Sequence, residues 1–223
     1  MPSANPFERE EIALQYHPWY ERPPGSLLAG LEKKALLPLL SSLERGPLLE
    51  VGCGTGYFTA WLAELGFAAT GLDRSAPMLK AARERYPRLP FLLASAESLP
   101  FLSGSFAAVA FITSLEFIAS PGIALAEASR VAKKAILLGV MNRLSPYVLH
   151  LRLRKRSPYG QAKFYSIREL QDLLRSCLDR PFRAVWNTAI LSPHWGYAPS
   201  RLYRGGFIAM RVDFADFPYS IQT

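Results

Sequence analysis

Cysteine, histidine and long apolar runs are all scarce in this chain of 223 residues. Its two cysteines, Cys53 and Cys177, stand in unrelated contexts, which excludes a disulfide framework and suits a reducing, cytoplasmic setting. The longest apolar run, Phe106 to Ala119, is too short to span a bilayer and carries Thr113, Ser114 and Glu116. The first residues, Met1 to Glu11, lack the charged-then-apolar order of a signal peptide. Acidic residues are missing altogether between Glu127 and Glu169, a stretch that holds 10 of the 26 basic residues. The formal charge of +8 is therefore a local feature of that stretch.

What the chain does have is the composition of a globular domain, half hydrophobic and a fifth charged. Its length fits one domain over 1–223. Short apolar strands are expected near 48–51, 67–72, 91–94, 106–112 and 135–140, with helical patterns between them. Two more, near 183–191 and 207–214, have no helix between them and should pair antiparallel. The fold class expected is α/β: a Rossmann-like, doubly wound, seven-stranded sheet, mostly parallel with the last strand antiparallel. Ser75 should cap one helix, and Ser166 with Glu169 forms a capping box for the last. Residues 1–25 read as irregular and aromatic, followed by a helix begun at Ser26 that Pro38 should end or kink. Residues 1–45 thus make an N-terminal segment, and 141–165 a loop insertion after the fifth strand.

The first strand runs into Glu50-Val51-Gly52-Cys53-Gly54-Thr55-Gly56, and a helix opens at Tyr57. Glycines at a strand-to-helix turn let backbone amides approach a ligand closely. A dinucleotide fingerprint would need a third glycine where Tyr57 stands. The carboxylate of Glu50 would also repel a pyrophosphate, whereas it suits a ligand carrying an ammonium and a sulfonium. This stretch resembles the first motif of the class I S-adenosylmethionine (SAM) methyltransferases, of the small-molecule type 11 group.

That resemblance implies SAM as cofactor and S-adenosylhomocysteine (SAH) as product, and it assigns roles along the chain. Glu50, Gly52, Cys53, Gly54 and Gly56 form the first motif. Asp73, at the end of the second strand, would accept the ribose hydroxyls, with Arg74 and Met78 beside the adenine. The run Ala94-Ser95-Ala96-Glu97-Ser98-Leu99-Pro100-Phe101 is similar to the family's next signature. Ser95 stands where the family has an aspartate, and the backbone of Ala96 would meet the ring, next to Glu97. Thr113 and Leu115, after the fourth strand, would lie by the methionine part. The segment Tyr16-His17-Pro18-Trp19-Tyr20 resembles an N-terminal lid, through Tyr16, although aromatics there could equally pack on the sheet.

No catalytic base is assigned. His17, Glu116, Tyr165 and His194 are candidates, and none sits in a motif that fixes a role. Trp19, Glu116, Asn142 and Tyr165 are the substrate-side candidates, and no metal site is expected. The basic stretch, with Arg152, Arg154, Lys155 and Arg156, is open to three readings: a solvated face, an attractor of anions or nucleic acid, or a peripheral contact with an acidic membrane. The expected activity is methyl transfer from SAM to a small molecule. An RNA or protein methyltransferase, with nucleic acid the less favoured partner, and a SAM-binding regulatory protein are the alternatives. The sequence assigns no oligomeric state.

Overall fold

A computed structural model describes residues 6–153, 162–189, 199–200 and 205–214. The elements follow in order as α1 (Glu10–Glu21), α2 (Gly25–Ser41), β1 (Pro47–Val51), α3 (Tyr57–Glu64), β2 (Ala68–Asp73), α4 (Ala76–Arg85), β3 (Phe91–Leu93) and β4 (Phe106–Ile112). They continue with α5 (Pro121–Val131), β5 (Ala132–Met141), α6 (Pro146–Leu153), α7 (Ile167–Cys177), β6 (Phe182–Ala189), β7 (Pro199–Ser200) and β8 (Phe207–Phe214). The strands form one sheet in the order β3-β2-β1-β4-β5-β8-β6-β7. Strands β1 to β5 pair in parallel, and β8 runs antiparallel between β5 and β6. This is the seven-stranded sheet expected, with β7 added as a two-residue antiparallel edge on β6. Among the described residues, no helix is long and apolar enough to cross a membrane.

The apolar strands divide their side chains by parity, as the pleat requires. Leu49, Val51, Val109, Phe111, Ile136 and Leu138 join α5 and α7 in one core. Leu48, Ala108, Ala110, Ile112, Leu137 and Phe207 join α2 and α3 in the other. Chain order reverses between β1 and β4, so a crevice opens where the loops after those strands part.

Two sequence expectations change in the N-terminal segment. Residues 10–21 are helical, because Ala13, His17 and Tyr20 fall at helical spacing and bury one face. Helix α2 begins at Gly25, before Ser26, and runs through Pro38 to Ser41. A proline inside a helix costs about 3 kcal/mol, but beyond it Leu39 and Leu40 are buried in the second core. Each such burial contributes about 1.5–3 kcal/mol, which outweighs the break. The caps expected at Ser75 and Ser166 both form: Ser75 Oγ accepts from Met78 N at 3.3 Å, and Ser166 and Glu169 bond reciprocally.

Candidate functional site

A cavity with 810 Å³ of empty space, open to solvent, lies at the carboxyl ends of β1, β2 and β4. Its floor is the glycine turn. Gly52, Gly54 and Gly56 all have positive φ, at 75°, 54° and 77°. The backbone N–H groups of Gly52 and Cys53 both donate to Leu72 O, at 2.7 and 3.0 Å, which turns the chain back over β2. A Cβ on Gly54 would reach to 3.7 Å from the Tyr16 ring, so glycine keeps this part of the cavity open.

Two carboxylates stand on either side of the turn. Glu50 is 1% exposed and its Oε2 accepts a short hydrogen bond from Thr59 Oγ1. Burial pushes its carboxyl up to about 8, with the charge of Asp73 adding to the rise and the Thr59 bond opposing it. Asp73 ends β2 and organises the loop: Oδ2 accepts from Gly54 N and Oδ1 from Ser75 N, each at 2.8 Å. Burial raises this carboxyl as well, against the pull of those amides. Each oxygen keeps a second lone pair for a ligand hydroxyl.

Of the residues singled out from sequence, Tyr16, Glu50, Gly52, Cys53, Gly54, Asp73, Arg74, Met78, Ala96, Glu97 and Thr113 line this one cavity. Arg74 is ion-paired with Glu8 at 2.8 Å. The Cys53 thiol is buried, and that burial raises its pKa well above the ordinary value, so it is no nucleophile. Thr113 adopts φ 50°, a left-handed conformation that a side-chain-bearing residue rarely takes, held by its N–H to Gly139 O at 2.7 Å.

Others lie elsewhere. Gly56 is the N-cap of α3, where a Cβ would strike the Phe91 ring. Ser95 does not face the cavity: its hydroxyl donates to Glu97 and accepts from Glu97 N, a local turn. Leu115 is fully buried in the first core, because a 3₁₀ turn over Leu115–Phe117 points it away from the cavity. Trp19 packs edge-on against Tyr20, outside the cavity lining. Asn142 is buried, and its Oδ1 accepts from Leu144 N at 3.0 Å in the turn after β5. Glu116 and Tyr165 are buried and do not line the cavity. His194 and the residues Arg154, Lys155 and Arg156 fall outside the described residues, as does the side chain of Arg152.

His17 is not poised as a base. Its Nδ1 lies 3.2 Å from Thr55 Oγ1. Burial, with Arg85 nearby, lowers its pKa to about 4, so the ring is neutral at pH 7. It pins α1 to the glycine turn. Tyr20 stacks on Tyr57 at 4.1 Å, Ser75 Oγ donates to Phe7 O at 2.8 Å, and Glu21 pairs with Arg85. Phe7, Tyr57, Ser114 and Phe117, to which the sequence assigned no ligand role, also line it, as does Tyr20 of the expected lid segment.

The sequence from 49 to 138 matches the family model described as a methyltransferase domain. An uncharacterized protein of Mycobacterium tuberculosis is 33% identical over 192 residues. That match takes in 83% of this chain but only 62% of the mycobacterial protein. The demethylmenaquinone methyltransferase of Renibacterium salmoninarum is 38% identical over 86 residues, 39% of this chain and 36% of its own. Among solved structures, a Thermotoga maritima protein described as a SAM-dependent methyltransferase, "possible histamine N-methyltransferase", superposes with a TM-score of 0.72. It is 25% identical, and the match covers 92% of this chain and 97% of that one. Residues 49–138 thus match a methyltransferase domain, and the fold is shared with a solved structure described as a SAM-dependent methyltransferase.

Proposed function

We propose that the protein binds SAM in this cavity and transfers its methyl group to a small-molecule acceptor. The observation that carries the reading is the placing of Glu50 and Asp73 on opposite sides of one glycine turn, on one cavity. Glu50 faces the part suited to an ammonium, beside Gly52 and Thr113. Asp73 suits the ribose hydroxyls, and Arg74, Met78, Ala96 and Glu97 suit the adenine.

The group supplies an already electrophilic sulfonium methyl, so no covalent link to the protein is needed. What the chain contributes is placement of the acceptor and exclusion of water. Helix α1, with Tyr16 and Tyr20 on the cavity, closes one side and serves as the lid.

Two measurements test the reading. SAH at 100 times its dissociation constant should stabilise the native state by about 2.7 kcal/mol. For a chain of this size that is a rise of about 5–11 °C in melting temperature, and NAD should give none. No shift with SAH, or a larger one with NAD, would overturn the assignment. Separately, Asp73→Ala should weaken SAH binding by about 1.5–3 kcal/mol, the range for hydrogen bonds to charged groups. Calorimetric titration of the folded variant decides this, and an unchanged affinity would leave Asp73 as an organiser of the turn alone.

A further inference from the structure

The cavity has two ends of different chemistry. At the β2 end stand the groups suited to ribose and adenine. Phe7 and Phe117 belong there, since Phe7 O accepts from Ser75 Oγ at 2.8 Å and the two rings meet edge to face at 4.7 Å. Strand β4 flanks β1 on the side away from β2. At that other end the lining includes Tyr20, Tyr57, Phe58, Ile112 and Ser114, which the SAM reading does not use. Tyr57 and Phe58 open α3, and Ile112 is the last residue of β4, so regular elements fix their places.

The rings at this end make one wall. Tyr20 stacks flat on Tyr57, with centroids 4.1 Å apart and planes 3° from parallel. Phe58 meets Tyr20 edge to face at 5.9 Å and Tyr57 at 5.2 Å. Lys33 Nζ lies over the Tyr57 ring, 4.1 Å from its centroid. A cation is attracted to a ring face by the quadrupole, so Tyr57 is held by Lys33 as well as by Tyr20. Tyr16 continues the row, its ring 5.5 Å from Tyr20 and 5.4 Å from Phe7. The hydroxyls here are engaged with the protein: Ser114 Oγ donates to Val51 O at 2.6 Å, and Tyr20 Oη to Tyr16 Oη at 3.4 Å. Burial pushes the Tyr16 hydroxyl up to about 12, so it is uncharged at neutral pH.

We propose that this aromatic wall is the acceptor subsite, and that the acceptor it takes is an uncharged aromatic compound with its nucleophilic heteroatom on the ring. Aromatic rings gain both buried apolar area and favourable edge or face contacts against such a wall. Charge argues the same way. Among the described residues, the cavity lining carries three carboxylates, Glu50, Asp73 and Glu97, against one cation, Arg74, which is already paired with Glu8. An anionic acceptor would meet that excess of like charge. A cationic one would have to bring its reacting atom within about 3–3.5 Å of a methyl carried on a sulfonium, against the positive charge there. A neutral ring meets neither penalty.

The proposal rests on the SAM reading for calling this ligand an acceptor, and the experiment separates the two. Full-length protein saturated with SAH is titrated calorimetrically at pH 7 with 4-propylphenol and 2-naphthol, each beside its ring-saturated alcohol. The charged counterparts are 4-propylbenzoate and 4-propylbenzylamine. At least one phenol should bind about tenfold or more tighter than its saturated alcohol, and tighter than either charged compound, the scale set by one or two aromatic pairs. Tyr57→Leu should cut that aromatic-to-saturated ratio by about threefold or more, whereas Tyr57→Phe, which keeps the ring, should preserve it. Both members of a pair are read on the same SAH-saturated variant, so a loss from looser docking of α1 cancels in the ratio. Saturated alcohols binding as well as phenols, tighter binding of the acid or the amine, no binding of either phenol, or an unchanged ratio in Tyr57→Leu would each overturn it. Should SAH itself fail to bind, the methyl-transfer reading falls, and the same titrations on the protein alone decide whether the wall takes an uncharged aromatic ring.

Discussion

Gly52→Ala should cost the protein about 2–6 kcal/mol and abolish SAH binding in whatever fraction still folds. Two independent penalties meet at this position. At φ 75° a side-chain-bearing residue is strained, which costs roughly 1–3 kcal/mol. The added Cβ would also collide with Ser114 Cβ, where the Ser114 hydroxyl donates to Val51 O at 2.6 Å. Relieving such a clash in a packed site costs about 1–3 kcal/mol more. The two parts are separable, because Gly52→Ala combined with Ser114→Gly removes the collision and leaves the strain. Urea unfolding of the single and double variants should show the double recovering about half the loss. Equal stabilities of Gly52→Ala and the wild-type protein would mean that the turn is not built as described.

The second large effect is on acid stability and belongs to His17. Its pKa in the folded protein, about 4, lies below the unfolded value of 6.5. Between these values the unfolded chain binds the extra proton, so stability from this residue is complete above pH 6.5 and lost as pH falls towards 4. That difference corresponds to roughly 3 kcal/mol. Glu32, Glu50 and Glu116 act in the opposite sense, since burial raises all three and their protonation favours the folded state as pH falls from 8. The His17 contribution is therefore read as a difference. His17→Asn keeps a donor and an acceptor for Thr55 but cannot titrate. Relative to that variant, the wild-type protein should lose about 3 kcal/mol between pH 7 and pH 4 in denaturant unfolding. Parallel pH curves would show that His17 is solvated and does not pin α1.

Both effects arise in the part of the fold that sequence reports best and worst. That the glycine turn, Glu50, Asp73 and Thr113 would meet on one cavity was legible because their places depend on spacing and strand ends, and chain order preserves both. Ser95 and Leu115 were misplaced because side-chain direction within a turn depends on local backbone, which a motif does not carry. Ser95 closes on Glu97, and Leu115 swings into the core on a 3₁₀ turn. Helix α1 was missed because its aromatics and Pro18 mask a short buried face of Ala13, His17 and Tyr20. The strand Pro199–Ser200 exists only as an addition to β6 and leaves no pattern in two residues.

The docking of α1 has a kinetic consequence. Its Tyr16 and Tyr20 are cavity wall, yet the helix reaches the glycine turn and α4 through side chains alone: an imidazole on Thr55, a phenol ring on Tyr57, a carboxylate on Arg85. The sheet contributes no strand partner to it. The floor of the site is thus rigid while its roof can lift away without breaking a ladder hydrogen bond. An occupant that this helix covers would leave at the pace of the helix, and turnover would inherit that pace whenever release is slower than chemistry.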